Sequence, residues 1–341
     1  MRLIYFSTNI PDYVCDSLLH GLRHVMGNDC VDVQRSESLY RPLPQSIIEK
    51  LGNNGFFIYG LLEDNEELKG RRFFWERDAD LYDGFIIPDI WNQWYLFCYL
   101  LKKFPKKKFA VIDGQDYSAI FPYKNIKQRI FSYPRSFFTP LRKVKYFKRE
   151  LMGGASNYNL ANYLHPTLSK LFTTPKNIYT INMAIPKEKI TKIDPSKKTN
   201  MFVSYLVDKE LGSHITTPDI PEKNIKKHLF LNEAAYIEDI RKARFGPTVK
   251  RAGWDCLRHY EYASQGTILC FKNLDEKPES CAPHGLNANN TIIYKSANEL
   301  LDIVSNITDE KYKTLYDGTY RWIEENTTEN VAKKFLDEFY S

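Results

Sequence analysis

Short apolar runs alternate with amphipathic stretches along most of the chain, and this alternation restricts the possible fold more than any other feature. The runs 2–7, 56–62 and 109–113 have the length and residue types of β-strands, whereas 12–27 and 92–104 have the apolar spacing of helices. Strands that alternate with helices are typical of α/β domains with mainly parallel sheets. The sequence therefore predicts an α/β protein.

The alternation is interrupted once, in a polar, proline-containing stretch that lies around residues 178–199. A new apolar strand at 201–206 then begins a second α/β unit. The 341 residues are about twice the usual length of one domain. We predict two Rossmann-like domains, 1–190 and 191–318, that face each other across a ligand-binding cleft, with a C-terminal helix in 319–341 that packs back on the first domain.

The cysteines, histidines and hydropathy exclude several kinds of protein. None of the six cysteines forms a CxxC pair, and the seven histidines show no recognised metal-ligand spacing. Asp78 and Asp80 are spaced like a metal-binding acidic pair, but they precede a strand, and we interpret them as part of a surface turn. No apolar stretch reaches the roughly 18 residues of a membrane span, and the N-terminus lacks the length of a signal peptide. We expect a cytoplasmic protein without a cofactor or a bound metal.

Basic residues are concentrated in two stretches of a chain whose formal net charge is +6. The stretches contain Lys102, Lys103, Lys106, Lys107 and Lys108, and then Arg142, Lys143, Lys145, Lys148 and Arg149. Such clusters are compatible with a solvated surface, with peripheral contact at the inner membrane surface, or with a phosphate-bearing substrate. No nucleic-acid-binding motif accompanies them, so nucleic acid is not a predicted partner.

The segment 245–271, FGPTVKRAGWDCLRHYEYASQGTILCF, is the most informative part of the sequence. It predicts a short strand, a basic turn that ends at Gly253, a helix from about Trp254 to Ser264, and a second strand after Gly266. The basic residues of the turn are Lys250 and Arg251. Free backbone N–H groups and the helix dipole would add to their charge, so the turn is a good anion site.

If the helix extends back into the turn, Arg251, Asp255, Arg258 and Tyr262 lie on one face. Asp255 would then hold the two guanidinium groups in place, and Glu261 would accept hydrogen bonds from a sugar diol. These features suit a nucleotide diphosphate and its ribose. The alternative is a surface helix with ordinary charge pairs.

The run KRAGWDCLRHYEYASQGTILCF resembles the donor-site segment of bacterial GT-B glycosyltransferases that assemble cell-surface polysaccharides such as O-antigen or capsule. Glu261, Ala263 and Gly266 match the family pattern of a glutamate, a small residue and a glycine before an apolar strand. The sequence differs at Gln265, where many relatives have a small residue or cysteine. The resemblance extends over roughly residues 200–305.

The resemblance implies a GT-B fold and roles for several donor-side residues. Glu261 would hold the ribose or sugar of the donor, while Lys250, Arg251 and Arg258 would neutralise the leaving phosphate. We therefore predict a donor site composed of Lys250, Arg251, Gly253, Asp255, Arg258 and Glu261, together with Ser7 and Asn9 from the loop after the first strand.

Asp113 and Asp116 are the candidate catalytic residues of the first domain. They follow the apolar strand of the run AVIDGQD, and carboxylates at the carboxyl end of a parallel strand lie beside the cleft. One of them would take the proton of an acceptor hydroxyl, although Asp-Gly is also an ordinary turn dipeptide. Lys148 and Arg149, in a YFKRE run that resembles a segment of some polysaccharide enzymes, are candidate acceptor-binding residues or a solvated basic strand.

Together these features predict a metal-independent glycosyltransferase. Its partners would be an activated sugar donor, most simply a nucleotide-diphosphate sugar, and a glycan or lipid-linked oligosaccharide acceptor. Three alternatives stay open: a transferase that uses a phosphosugar diphosphate donor, a sugar-nucleotide epimerase, and a non-catalytic nucleotide- or carbohydrate-binding module. An epimerase would need a second set of acid–base groups near Glu261, which the sequence does not offer.

Overall fold

A computed structural model describes most of the chain, which forms two parallel sheets, one of six strands and one of four. The described residues are 1–8, 10–51, 57–124, 141, 144–169, 171–215, 230 and 232–341. The predicted α/β class with parallel sheets is confirmed.

The six strands of the first sheet have the order β2-β1-β3-β4-β5-β6. They are β1 (Leu3–Phe6), β2 (Cys30–Val33), β3 (Gly84–Ile87), β4 (Lys108–Asp113), β5 (Lys145–Lys148) and β6 (Ile178–Thr180). Strands β1 and β3 are buried along their whole length, as expected of parallel strands that helices cover on both faces. The chain passes from β1 to β2 on one side and to β3 on the other, so a topological switch point lies at the carboxyl ends of β1 and β3.

The helices of this half connect the strands. They are α1 (Tyr13–Met26), α2 (Gln45–Leu51), α3 (Glu66–Phe74), α4 (Ile90–Lys103) and the single turn α5 (Pro166–Ser169). Helix α1 begins after Asp12 because the Asp12 carboxylate accepts hydrogen bonds from the N–H groups of Val14 and Cys15, both at 3.0 Å. This cap fixes the first turn of α1 beside the switch point.

The second sheet has the order β10-β9-β8-β7. Its strands are β7 (Asn200–Phe202), β8 (Ala243–Val249), β9 (Ile268–Lys272) and β10 (Thr291–Tyr294). The accompanying helices are α6 (Lys209–His214), α7 (Glu233–Lys242), α8 (Leu257–Ser264) and α9 (Ala297–Ser305). The carboxyl end of β8 leads through residues 250–256 into α8.

Two long helices, α10 (Asp309–Glu325) and α11 (Thr328–Tyr340), end the chain. Helix α10 packs against α8 and the second sheet, whereas α11 packs along α1 of the first half. The backbones of α1 and α11 approach closely at Gly21, where an added Cβ would overlap the carbonyl oxygen of Thr328. Phe335 of α11 contacts Phe147 of β5 with ring centroids 4.6 Å apart.

The chain crosses between the two halves twice, and the crossing segments bind each other. The N–H of Ile185 donates to the carbonyl of Asn326 at 3.3 Å, and the N–H of Thr328 donates to the carbonyl of Ile185 at 2.9 Å. Among the helices of the described ranges, none has both the length and the hydropathy needed to cross a bilayer.

Candidate active site

The carboxyl end of the first sheet contacts the loop that precedes α8, and two residues after β5 make most of this contact. The Glu150 carboxylate accepts hydrogen bonds from the N–H groups of Trp254 and Asp255, both at 3.0 Å. The Arg149 guanidinium donates to the carbonyl oxygens of Asp255 at 2.6 Å and of Gly114 at 2.9 Å. At Gly253 an added Cβ would overlap the Glu150 carboxylate, so the close approach requires glycine.

Asp255 lies inside this contact and not between two donor-side arginines. Its carboxylate accepts from the N–H of Met183 and from the hydroxyl of Tyr260, both at 2.9 Å. Burial raises the pKa of Asp255 to about 6, and the charge of Arg149 opposes the rise. The side chain is 4% exposed. Asp255 therefore joins the two halves of the protein at the base of the cleft.

Asp113 and Lys148, predicted as a catalytic carboxylate and an acceptor-binding cation, form one ion pair. The Nζ of Lys148 lies 3.1 Å from Oδ1 of Asp113, and both side chains are completely buried. Tyr146 donates its hydroxyl to Oδ2 of Asp113 at 2.5 Å. Burial lowers the pKa of Lys148, and the Asp113 carboxylate counteracts this. Neither side chain presents surface to a substrate in this arrangement.

Asp116 and Arg149 form a second pair, which differs from the first in its exposure. The Asp116 side chain is 55% exposed and accepts a hydrogen bond from the Arg149 guanidinium, which is 1% exposed. Arg149 is thus occupied by contacts within the protein, while Asp116 stays accessible at the rim of the cleft.

Helix α8 begins at Leu257, three residues later than the sequence pattern predicts, because Glu150 holds residues 254 and 255 in an extended loop. The predicted single helical face of Arg251, Asp255, Arg258 and Tyr262 is therefore wrong. Arg251 is exposed in the loop, and the exposed Lys250 lies with its Nζ 4.9 Å from the centroid of the Trp254 ring.

Arg258 and Glu261 lie one turn apart on α8. Arg258 is half-buried, its guanidinium carbon lies 5.3 Å from the centroid of the Tyr205 ring, and it makes no hydrogen bond or ion pair within the described part of the chain. Glu261 accepts a hydrogen bond from the hydroxyl of Tyr236 at 2.6 Å. Burial raises the pKa of Glu261 to about 7, while Tyr236 and Arg258 oppose the rise.

The start of α1 in the first half lies near this pair. Burial, and then the negative charge of Glu261, raise the pKa of Tyr13, the first residue of α1. Phe57 of the first half packs edge-to-face on Tyr236, with ring centroids 6.2 Å apart, so the face of α8 that carries Glu261 lies against the first half.

Two buried polar groups at the switch point have no hydrogen-bond partner among the described residues: Oγ of Ser7, after β1, and Oδ1 of Asp89, after β3. Each side chain is 4% exposed. A buried polar atom that lacks a hydrogen bond costs about 1–3 kcal/mol, and a ligand group or water that bonds to these two oxygens would recover that energy. Ser7 was predicted from its position as a donor-site residue, but it lies beside Asp89 at the switch point, and Asn9, predicted with it, lies outside the described residues.

Asp89 was not predicted, although it follows an apolar strand as Asp113 does. Its backbone is left-handed, with φ of 50°, which turns the residue away from the regular path into α4. Burial raises the pKa of Asp89, hydrogen bonding to Asn92 counteracts the rise, and the charge of Asp12 adds to it. Asp12 lies close to the end of β4, because an added Cβ at Gly114 would be 2.8 Å from both of its carboxylate oxygens.

Comparison with known proteins gives a fold but no sequence family. No family model and no curated protein matches the chain significantly. A solved trehalose-6-phosphate synthase, OtsA, aligns with a TM-score of 0.54 at 11% identity, over 100% of this chain and 99% of that one. Anabaena Alr3699/HepE in complex with UDP aligns with a TM-score of 0.53 at 9% identity, over 100% of both chains.

A further structure, a chain of the GtfA/B complex, aligns only in part, with a TM-score of 0.43 over 80% of this chain and 60% of that one. The full-length neighbours are GT-B glycosyltransferases, whose fold consists of two Rossmann-like domains. The protein has the GT-B fold, and this prediction from the sequence is confirmed.

Proposed function

We propose that the protein is a glycosyltransferase that transfers a sugar from a nucleotide-diphosphate donor, bound against α8, to an acceptor hydroxyl bound at the ends of β1 and β3. The observation that carries this proposal is the pair of Arg258 and Glu261. A cation that makes no hydrogen bond or ion pair within the described chain and a buried carboxylate lie one turn apart on a helix beside the cleft. In the neighbours of similar fold, HepE was solved with UDP, with UDP-glucose, and with UDP and glucose.

On the donor side, Glu261 accepts hydrogen bonds from a diol of the nucleotide, and Tyr236 fixes the carboxylate by its hydroxyl. Arg258 contacts the diphosphate, together with the N-terminal N–H groups of α8 and the exposed Lys250 and Arg251. These positive groups stabilise the charge that develops on the departing phosphate, so the mechanism uses no metal.

On the acceptor side, Asp89 accepts the proton of the attacking hydroxyl. Its free Oδ1, its burial and its raised pKa suit a general base beside the cleft. Ser7 donates a hydrogen bond to the acceptor from the neighbouring strand end. Ion pairs occupy the buried side chains of Asp113, Lys148 and Arg149, which act as positioning residues. Asp116 contributes only at the rim of the cleft.

Ligand-induced thermal stabilisation tests the donor site. We expect one of UDP, GDP, ADP, CMP and dTDP to raise the melting temperature by several degrees, Arg258→Ala to abolish the effect, and Glu261→Gln to reduce it. Lys333→Ala, an exposed lysine of α11, is the control and should respond like the parent. If no nucleotide stabilises the protein, or if the two variants respond normally, the proposed donor site is wrong.

Product analysis separates the proposed transferase from the alternatives. A transferase releases the nucleotide only when an acceptor is present, whereas an epimerase changes the configuration of the sugar and releases no nucleotide. A binding module is stabilised but gives no product. Stabilisation by phosphoribosyl diphosphate in place of every nucleotide would indicate a phosphosugar donor.

The exposed surface of α3 and α4 favours a lipid-linked acceptor at an anionic membrane. Phe73 at the end of α3 is 80% exposed, and Tyr95 and Tyr99 of α4 are 72% and 51% exposed. Helix α4 ends in Lys102 and Lys103, and exposed aromatic residues beside lysines are typical of membrane-surface contacts. Co-sedimentation with vesicles that contain anionic lipid, and its loss in Phe73→Ser/Tyr95→Ser, would support this. Equal sedimentation with neutral vesicles would contradict it.

A further inference from the structure

Two histidines of α1 and a glutamate of the first crossing segment lie together, away from the cleft. His20 and His24 share one face of the helix, with ring centroids 4.3 Å apart. Glu188, which follows β6, has its Oε1 3.4 Å from Nε2 of His20. One ligand atom from each of the three side chains lies within 4.8 Å of the other two.

The hydrogen bonds of His20 determine which of its nitrogens is available. The Thr328 hydroxyl donates to Oε2 of Glu329 at 3.2 Å, which favours the His20 tautomer whose Nδ1–H donates to the Thr328 oxygen at 2.9 Å. This leaves Nε2 with its lone pair towards Glu188, and Nε2 makes no hydrogen bond within the described part of the chain. A buried lone pair opposite a carboxylate oxygen is unfavourable unless a proton or a metal ion lies between them.

We propose that His20, His24 and Glu188 bind a divalent transition metal ion, with Zn²⁺ as the best match. Two imidazoles and a carboxylate are a common zinc ligand set, and water would fill the fourth position. The separation of 3.4 Å between Nε2 and Oε1 is close to the edge of a zinc tetrahedron with bonds of about 2.0–2.1 Å. His24 and Glu188 are exposed, so solvent reaches the site.

Thr328 has the position that an outer partner of a zinc-bound histidine usually has. It fixes the ring of His20 through the nitrogen that does not face the ion. Thr328 begins α11 and also binds Ile185 of the crossing segment through its backbone. A bound ion would therefore join α1, the first crossing segment and α11 at one point.

This site is separate from the proposed donor site. At 1.5 Å per residue, His20 lies about 10 Å along α1 from Tyr13, which marks the cleft end of the helix. The ion would stabilise the junction between the two halves and would take no part in the transfer. The histidines were not recognised as metal ligands from the sequence, and no bound metal was predicted, because a pair four residues apart does not define a site without Glu188, which lies far along the chain.

Metal titration of the full chain tests the site directly. After treatment with EDTA and buffer exchange, the parent should bind one Co²⁺ with visible d–d absorption, and Zn²⁺ should displace it. His24→Ala and Glu188→Gln should each weaken binding by more than the roughly 10–100-fold that loss of an outer partner of a ligand typically costs. His165→Ala removes an exposed histidine elsewhere and is the control.

Zinc should also raise the melting temperature of the parent and of His165→Ala but not that of His24→Ala. Circular dichroism spectra of the metal-free variants should match that of the parent, since His24 and Glu188 are exposed. If the parent binds no ion at a ratio of one to one, or if His24→Ala and Glu188→Gln bind as the parent does, the proposal is wrong. None of these results depends on whether the protein transfers a sugar.

Discussion

Glu150, at the end of the first sheet, accepts the backbone N–H of Asp255 in the other half of the protein at 3.0 Å. The same carboxylate accepts the N–H of Trp254, and it is 2% exposed. The two halves are thus joined by hydrogen bonds that a buried charged group accepts, and such bonds are stronger than those between neutral groups.

Replacing Glu150 by alanine should destabilise the protein. Two buried N–H groups would lose their acceptor and Arg149 would lose a nearby charge, so we expect the free energy of unfolding to fall by about 2–4 kcal/mol. Urea denaturation measures this. Glu279→Ala, at an exposed glutamate, is the control and should change the stability little. A midpoint for Glu150→Ala equal to that of the control would contradict the role given to the carboxylate.

Asp113→Asn should cost stability because it leaves the ammonium group of Lys148 buried without its counter-ion. Breaking a buried ion pair from one side costs about 3–5 kcal/mol. Replacing both partners, as in Asp113→Asn/Lys148→Met, should recover part of this loss, since no charge then stays buried. Chemical denaturation of the parent and the two variants checks the order. A stable single variant that loses only activity would favour the catalytic role predicted from the sequence.

Asp89→Asn should lower kcat by about 100- to 10,000-fold with little change in KM, which is the range typical of a general base. The amide keeps the size of the side chain and the packing around it. Steady-state kinetics with the nucleotide sugar identified by thermal shift measures both constants. Asp116→Asn, at the exposed carboxylate of the rim, is the comparison and should keep most of the activity. If Asp116→Asn loses the activity and Asp89→Asn keeps it, Asp116 is the base.

Donor affinity should rise with pH around 7. The pKa of Glu261 is raised to about 7, so the carboxylate is protonated below this pH and ionised above it, and only the ionised form accepts two hydrogen bonds from a diol. Calorimetric titration between pH 6 and 8, with a nucleotide sugar as ligand, should show tighter binding at the higher pH.

Glu261→Gln should remove this pH dependence, because the amide does not titrate. The effect of Glu261 on stability has the opposite sign. A carboxyl whose pKa is higher in the folded protein than the usual 4.5 binds protons more readily there, so its contribution to stability decreases as the pH rises from about 4.5 to 7. Donor affinity that falls as the pH rises would contradict the proposed role.

Gly21→Ala tests the contact between α1 and α11. The added methyl group would overlap the carbonyl of Thr328, and we expect a loss of about 1–3 kcal/mol. Gly70→Ala is a matched control in the interior of α3, where nothing lies within 4 Å of an added Cβ, and it should stabilise the protein by up to about 1 kcal/mol. Thermal denaturation distinguishes the two, and equal effects would exclude close backbone contact at Gly21.

Local signals in the sequence predicted the elements well. The alternation of apolar runs is a property of neighbouring residues, and it predicted the parallel sheets and a helix at 12–27. The run 56–62, expected to be a strand, forms a turn at 57–60. The start of α8 was predicted three residues too early, because the distant Glu150 holds the loop before it. That contact depends on how two separate parts of the chain pack, and no local pattern encodes it.

In the candidate site, too, some features follow from local patterns and others depend on contacts between distant parts of the chain. Glu261 was chosen from a local motif, and its role in donor binding stays a prediction. The burial of Asp113 depends on Tyr146 and Lys148 of the adjacent strand, and pairing between strands cannot be derived from the spacing of AVIDGQD alone. Asp89 lies just after β3 and Asp113 is the last residue of β4, but only the structure shows which of the two keeps an oxygen without a partner among the described residues.

The packing of α11 on α1 has a consequence for biosynthesis. The ribosome makes α11 after the whole second sheet, yet α11 covers Phe147 and the face of α1 that carries Gly21, both in the first half. Until that helix emerges, the nascent first half exposes an apolar surface, which is a target for chaperones and for misassembly. Complete folding of the earliest residues therefore waits for the latest ones, and translation pauses near the end of the chain should raise its demand for chaperones.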